Sequence, residues 1–190
     1  MAFRIHLRFI YITIFLLSLY NIDALKLAKR PKLTSPMLGF SWENCGPSSD
    51  PIQVKSLAIG PDPIEIPGNM TLALSVDIAS KLPTDIYIVV IMERKVGGFY
   101  VKIPCIDNVG SCNYGNICED WAKVCPQYFE KYGIPCECPI PANTYSIPDT
   151  TVEIKSSLPS ELSGTFRITA DIRSSEGHLG CIQAQVDLKT

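Results

Sequence analysis

From Phe40 onward the chain reads as an all-β domain, and three observations lead there. Apolar and polar residues alternate with period two in three long runs. Clusters of Gly, Pro and Ser punctuate the chain between apolar runs. Eight cysteines, an even number, follow an apolar leader, the pattern of a secreted domain held by disulfides.

The leader comes first. Arg4 and Arg8 form a basic start, and Phe9 to Tyr20 carries no charge. That stretch is shorter than the roughly 20 residues a bilayer span requires and has the length of a signal-peptide core. Residues 1–24 read as a signal peptide cut after Ala24, although Ile22 is larger than the small residue usual at that position. Residues 25–39 are basic, then Pro-punctuated, and read as a flexible lead-in. Residues 40–190 form the domain, and the expected product is a soluble protein of the secretory pathway. Losing Arg4, Arg8 and Asp23 moves the formal charge from −2 to −3. A chain with that balance has no basic surface for nucleic acid. Carboxylates titrate near pH 4, so an acidic compartment would neutralise about a third of them while charging His178. The surface would then turn weakly cationic and suit peripheral contact with an anionic membrane.

The strands follow in order. Met70, Leu72, Leu74, Val76 and Ile78 alternate with Thr71, Ala73, Ser75 and Asp77. Ile86 to Met92 is apolar on both faces, so one face meets either a covering loop or something apolar that is not protein, such as a lipid. Val96-Gly97-Gly98-Phe99-Tyr100 is a mobile turn leading into the next strand. Its aromatic pair either enters a membrane interface or folds back as core. Phe166, Ile168, Ala170 and Ile172 form one alternating run, and Ile182, Ala184, Val186 and Leu188 another. Ser174-Ser175-Glu176-Gly177 joins these two as a hairpin. The one helix expected lies within Asn116 to Lys131, limited by Pro126 and Gly133. Leu158-Pro159-Ser160-Glu161-Leu162 is a second apolar turn that a membrane could take, weakened by Glu161 at neutral pH.

Six cysteines crowd between Cys105 and Cys138, at Cys105, Cys112, Cys118, Cys125, Cys136 and Cys138; the other two are Cys45 and Cys181. No C-x-x-C occurs, and beyond the leader there is a single histidine, His178. Both facts argue against zinc and against a thioredoxin-like redox motif. Structural disulfides remain. Cys136 and Cys138 flank one residue, too close to bond without strain, so each pairs elsewhere. Cys45 and Cys181 lie on the first and last strands and bond if those strands are neighbours. The other pairings stay open on spacing alone. Asn69-Met70-Thr71 is an N-glycosylation sequon. No G-x-S-x-G elbow, free cysteine or partnered histidine points to catalysis, and no cofactor motif occurs.

With these residues in place, the chain resembles the ML lipid-recognition family and, within it, the sphingolipid activators. Phe40-Ser41-Trp42-Glu43-Asn44-Cys45, Lys102-Ile103-Pro104-Cys105, Tyr132-Gly133-Ile134-Pro135-Cys136-Glu137-Cys138-Pro139 and Leu179-Gly180-Cys181-Ile182 carry the likeness, with Pro67-Gly68-Asn69-Met70-Thr71 and Thr144-Tyr145-Ser146-Ile147-Pro148 between them. It runs from Phe40 to about Leu188. It implies an open, immunoglobulin-like β-cup of two antiparallel sheets around an apolar lipid cavity, with a short helix in a disulfide-rich loop. It implies the bonds Cys45–Cys181, Cys105–Cys112, Cys118–Cys138 and Cys125–Cys136. The implied work is non-enzymatic: a ganglioside or related glycolipid is lifted from a membrane and presented to lysosomal β-hexosaminidase A. A different lipid cargo with no hydrolase partner is the alternative. Cavity-wall candidates are Leu72, Leu74, Val76, Ile86, Ile88, Val90, Phe166, Ile168 and Ile182. Membrane-loop candidates are Val96, Phe99, Tyr100, Leu158 and Leu162. Where the family carries two membrane-facing tryptophans, this chain has Tyr100 and Glu161.

Overall fold

The computed structural model describes residues 39–155 and 163–190, so the leader, nearly all of the lead-in and the Leu158–Leu162 turn lie outside it. Within the described residues the chain forms two antiparallel sheets. The larger has the order β1 (Ser41–Asn44), β10 (Gly177–Lys189), β9 (Gly164–Ser174), β5 (Tyr87–Val96), β6 (Phe99–Lys102). Short β3 (Ile64–Glu65) adds parallel to the end of β10, and β7 (Asn113–Asn116) pairs with the start of β5. The smaller sheet has the order β2 (Ile52–Gly60), β4 (Gly68–Ile78), β8 (Asn143–Ile154).

The alternating runs become β4, β9 and β10. Phe166 pairs with Val186, and both are buried, which sets the inward face of the β9–β10 hairpin. Ile168, Ala170 and Ile172 share that face by the period-two rule. The hairpin turn narrows to Ser175-Glu176. β2 and β8 lack a clean alternation because each carries a bulge. In β2 the inward set is Ile52 and Val54, then Leu57 and Ile59, with the register shift between Val54 and Ser56. In β8 Ile147 pairs with Leu74, and Thr150 with Leu72, so Pro148 and Asp149 of β8 oppose the single residue Ala73 of β4, one residue in excess. A bulge resets the side-chain parity. Pro148 sits in this irregular stretch of an edge strand, where a missing N–H is tolerated.

The helix α1 spans Cys118–Tyr128, followed by a 3₁₀ turn at Glu130–Tyr132 that ends on left-handed Gly133. Pro126 lies inside the last turn rather than ending the helix, and Phe129 N–H still reaches Cys125 O at 2.7 Å. Trp121 stacks on Phe129 at 5.4 Å and donates its indole N–H to Pro135 O at 2.8 Å. All four disulfides are present in the pairs the resemblance implies.

Apolar packing between the sheets falls into two separate clusters. The first gathers Ile78, Leu82, Ile86, Ile140, Tyr145 and Leu179, capped by Ile117, Trp121 and Ile134 from the helical region. The second gathers Ile64, Ile66, Phe166, Val186 and Leu188, flanked by Met70, Met92 and Ile154.

One seam joins the sheets where β1 and β10 approach β2. The Asn44 amide reads the backbone of Val54 both ways: Nδ2–H donates to Val54 O at 2.9 Å, and Oδ1 accepts Val54 N–H at 3.0 Å. The Cys45–Cys181 bond lies just beyond, beside a Cys45 N–H to Cys181 O bond of 2.9 Å. Gly180 passes so close to β2 that a β-carbon there would stand 2.9 Å from Ile52. His178 completes the seam. Its Nδ1 lies 2.8 Å from buried Asp50 on the β1–β2 connection, and its Nε2 lies 3.4 Å from Asp171 on β9, which also pairs with Arg173.

The hydrogen bond that His178 Nδ1–H donates to Asp50 is the main cause raising the His178 pKa, with the Asp50 charge and Asp171 adding to it. A group whose pKa is raised on folding stabilises the fold while protonated. That contribution is complete below the unfolded value of about 6.5 and disappears as pH rises through the folded value. His178→Gln is therefore expected to lower the melting temperature more at pH 5 than at pH 8. An equal loss at the two values in thermal melts would show that the imidazole contributes by packing alone.

Candidate functional site

The two clusters leave a stretch of inward face between them. Residues at inward register positions there come from both sheets: Leu72 and Leu74 on β4, Ile88 and Val90 on β5, Ile182 on β10. All five are only half-buried, although they point between the sheets. In a filled sandwich such positions are closed by the facing sheet. Half-exposure at these positions means that apolar surface inside the sandwich remains open to solvent.

The nine cavity-wall candidates divide accordingly. Ile86 and Phe166, at 1% and 0% exposure, are core, one in each cluster. Val76 packs against the first cluster and Ile168 against the second. Leu72, Leu74, Ile88, Val90 and Ile182 line the open stretch. Leu57 on β2, Ala170 on β9, Ala184 on β10 and Val152 on β8 share this inward face and were not singled out from the sequence. Leu57 and Val152 follow bulges, so alternation could not place them. The two alanines did sit in readable runs, and the signal there was small size: they leave room between the sheets.

Along β5 the inward row runs Ile88, Val90, Met92, Arg94, Val96. The outward row, Tyr87, Val89 and Ile91, is exposed at 42%, 36% and 38%. The two-sided apolar strand therefore has one face toward the interior and the other toward solvent, with no loop among the described residues burying it. Beyond Val96 the chain turns through Gly97 and Gly98, both at positive φ, as a two-residue hairpin needs. Phe99 at the tip is 78% exposed, with Val96 and Val101 at 53% each.

Tyr100 parts from Phe99. Alternation sends it to the outer face, where its hydroxyl donates to Gln185 Oε1 at 2.6 Å and the Arg167 guanidinium lies 4.0 Å over its ring. Arg167 also pairs with Glu93 at 2.7 Å. The aromatic pair is thus one exposed tip and one tethered ring, and period two is the reason. A pocket of about 250 Å³ nearby is walled by Ser41, Trp42, Glu43, Arg167, Gln183 and Gln185. Its mainly polar lining sets it apart from the apolar interior. Asn69 is exposed on β4 opposite Glu153, on the face turned away from that interior. Leu158, Glu161 and Leu162 lie outside the described residues.

Among the described residues no group of three or more His, Cys, Asp or Glu is placed to hold a metal ion. No helix among them is long and apolar enough to cross a membrane. No free cysteine is present among them either.

Two antiparallel sheets fastened at one seam, with an apolar interior left open between two cores, define the class of β-cups that carry an apolar ligand between their sheets. The chain belongs to the ML domain family, whose pattern matches residues 39–188. It is 40% identical to the ganglioside GM2 activator of Mus musculus over 167 residues, covering 84% of this chain and 86% of that protein. It is 35% identical to the ganglioside GM2 activator of Macaca fascicularis over 158 residues, covering 79% and 83% respectively. Among solved structures, a Niemann-Pick type C2 protein from the Japanese carpenter ant matches with a TM-score of 0.43 and 14% identity, over 78% of this chain and 99% of that one. Chicken MD-1 in complex with lipid IVa matches with a TM-score of 0.36 and 10% identity, over 78% and 88%.

Truncations at two inward positions separate core from open wall. Phe166→Ala is expected to cost about 3–5 kcal/mol in denaturant unfolding, the usual range for a fully buried aromatic. Leu74→Ala is expected to cost less than about 2 kcal/mol, below the range for buried leucines. A Leu74 loss as large as that at Phe166 would mean that the stretch is packed rather than open.

Proposed function

We propose that this protein is a non-enzymatic lipid-binding cofactor that takes a ganglioside or related glycolipid out of a membrane and presents it to lysosomal β-hexosaminidase A. One observation carries the reading: apolar side chains from both sheets face the interior yet remain half-exposed between two closed cores. A domain of this size gains its stability from burial. Leaving such surface open is costly unless a ligand covers it, and an apolar interior suits the tails of a lipid. The likeness to two proteins named ganglioside GM2 activator supports a glycolipid cargo.

The hairpin tip supplies the membrane contact. Val96 and Phe99 stand exposed on a two-glycine turn, where an aromatic ring can rest among lipid headgroups. Leu158 and Leu162 are proposed as a second contact. The tethering of Tyr100 to Gln185 removes one aromatic from that tip, which favours weaker extraction or a different lipid as the second reading. Entry to the secretory pathway through residues 1–24, with the lysosome as destination and some protein secreted, fits the disulfides and the acid-strengthened His178 contact.

The decisive measurement is hydrolysis of a membrane-embedded ganglioside by β-hexosaminidase A with and without this protein. Stimulation supports the proposal. Absence of stimulation, with a different lipid found on the purified protein by native mass spectrometry, supports the second reading. Turnover of lipid by the protein alone would overturn both. Asn69 is proposed to carry an N-glycan. Protein from a secretory host is expected to lose mass on glycosidase treatment, and Asn69→Gln is expected to abolish that loss.

A further inference from the structure

The inward faces of both sheets are apolar or uncharged at every described strand position but one. The exception is Arg94. It pairs in register with Phe166, which is fully buried, so it belongs to the inward face of β5. One of its terminal nitrogens donates a 2.7 Å hydrogen bond to Ser163 O. Among the described residues no carboxylate pairs with it, whereas Arg167, on the outer face of the next strand, is held by Glu93.

A guanidinium cannot shed its proton, and a half-buried cation against apolar surface is costly unless it is paired. Ser163 occupies one of five N–H donors and holds the planar group in place. The remaining donors match a carboxylate, sulfate or phosphate, which accepts two parallel hydrogen bonds. The position is equally informative. From Ile88 through Val90 and Met92 to Arg94 the inward row of β5 runs about 20 Å at the usual rise per residue. The row is apolar until its last step. Past Arg94 come Val96 and Phe99 at the exposed tip. An apolar run, then one cation, then an interfacial tip is the order in which a lipid presents its tails and its headgroup.

We propose that Arg94 is the headgroup-reading residue of the cup, and that the cargo carries a negative charge close to its apolar part. This rests on the reading of the interior as a lipid site. Lipid transfer from neutral phosphatidylcholine vesicles tests it, using a sialylated glycosphingolipid and its desialylated counterpart with the same ceramide. Neutral vesicles keep membrane charge out of the comparison. Arg94→Gln is expected to weaken loading of the sialylated lipid about ten-fold, the size of one lost charge-assisted hydrogen bond, and to leave the neutral lipid unchanged. Arg94→Lys keeps the charge and is expected to recover part of the loss. Melting temperatures of both variants establish that they fold. Loss of the Arg94→Gln effect on adding inorganic phosphate would show that free anion occupies the same fork, which supports the anion site. Equal loading of both lipids by Arg94→Gln and wild type overturns the assignment, as does an equal loss for both lipids. Failure of the wild-type protein to load either lipid overturns the lipid reading of the interior itself.

Discussion

The seam between β10 and β2 is the constraint on which the rest depends. Two sheets with an open interior cannot rely on continuous packing to hold their spacing. At this corner four interactions of different kinds act on a few residues: the Asn44 amide on the Val54 backbone, the Cys45–Cys181 bond, the close pass of Gly180 over Ile52, and His178 between Asp50 and Asp171. The disulfide spans a sequence separation of 136, for which chain-entropy arguments give about 5 kcal/mol. The shorter links at separations of 7, 11 and 20 contribute about 2.5 to 3.5 kcal/mol each on the same argument, and they order a cap rather than joining the sheets. A sandwich fixed along one seam and packed in two clusters can keep an unfilled stretch between them.

Function follows from where burial stops. Residues of both sheets meet at each closed cluster, in the second through flanking Met70 and Ile154, so the sheets cannot collapse over the middle without displacing Phe166 or Ile86 from positions of 0–1% exposure. The open stretch is therefore maintained by the cores on either side of it. On the opposite face of the larger sheet the requirement reverses. Tyr100, Gln185, Arg167 and Glu93 satisfy one another across several strands, which stiffens the sheet that carries the exposed Val96–Phe99 tip.

Much of this was legible in the chain. The runs Met70–Ile78, Phe166–Ile172 and Ile182–Leu188 alternate cleanly because each strand has one face inward and no interior bulge in that run large enough to scramble its own pattern. The Ser175-Glu176 hairpin and the region of the helix were equally readable. β2 and β8 were not, because bulges at Lys55 and around Pro148-Asp149 reset parity midway and hide the period from any fixed-spacing reading. The same bulges concealed Leu57 and Val152 as wall residues. Tyr100 illustrates a different limit: its neighbour Phe99 has similar chemistry, and only the strand register sends one to the tip and the other across the outer face.

The sequence by itself determined the all-β class, the disulfide framework, the direction of each alternating strand face and the family. These depend on local spacing and residue type, which the linear chain carries directly. The tertiary structure alone decided which apolar residues are core and which line an opening. Leu74 and Phe166 have the same local pattern, and their difference comes from what the opposite sheet places in front of them. It also decided that Arg94, one charge among several along β5 and β6, faces inward with no carboxylate partner among the described residues. Burial and charge pairing are set by contacts between distant segments, and no period in the chain records them.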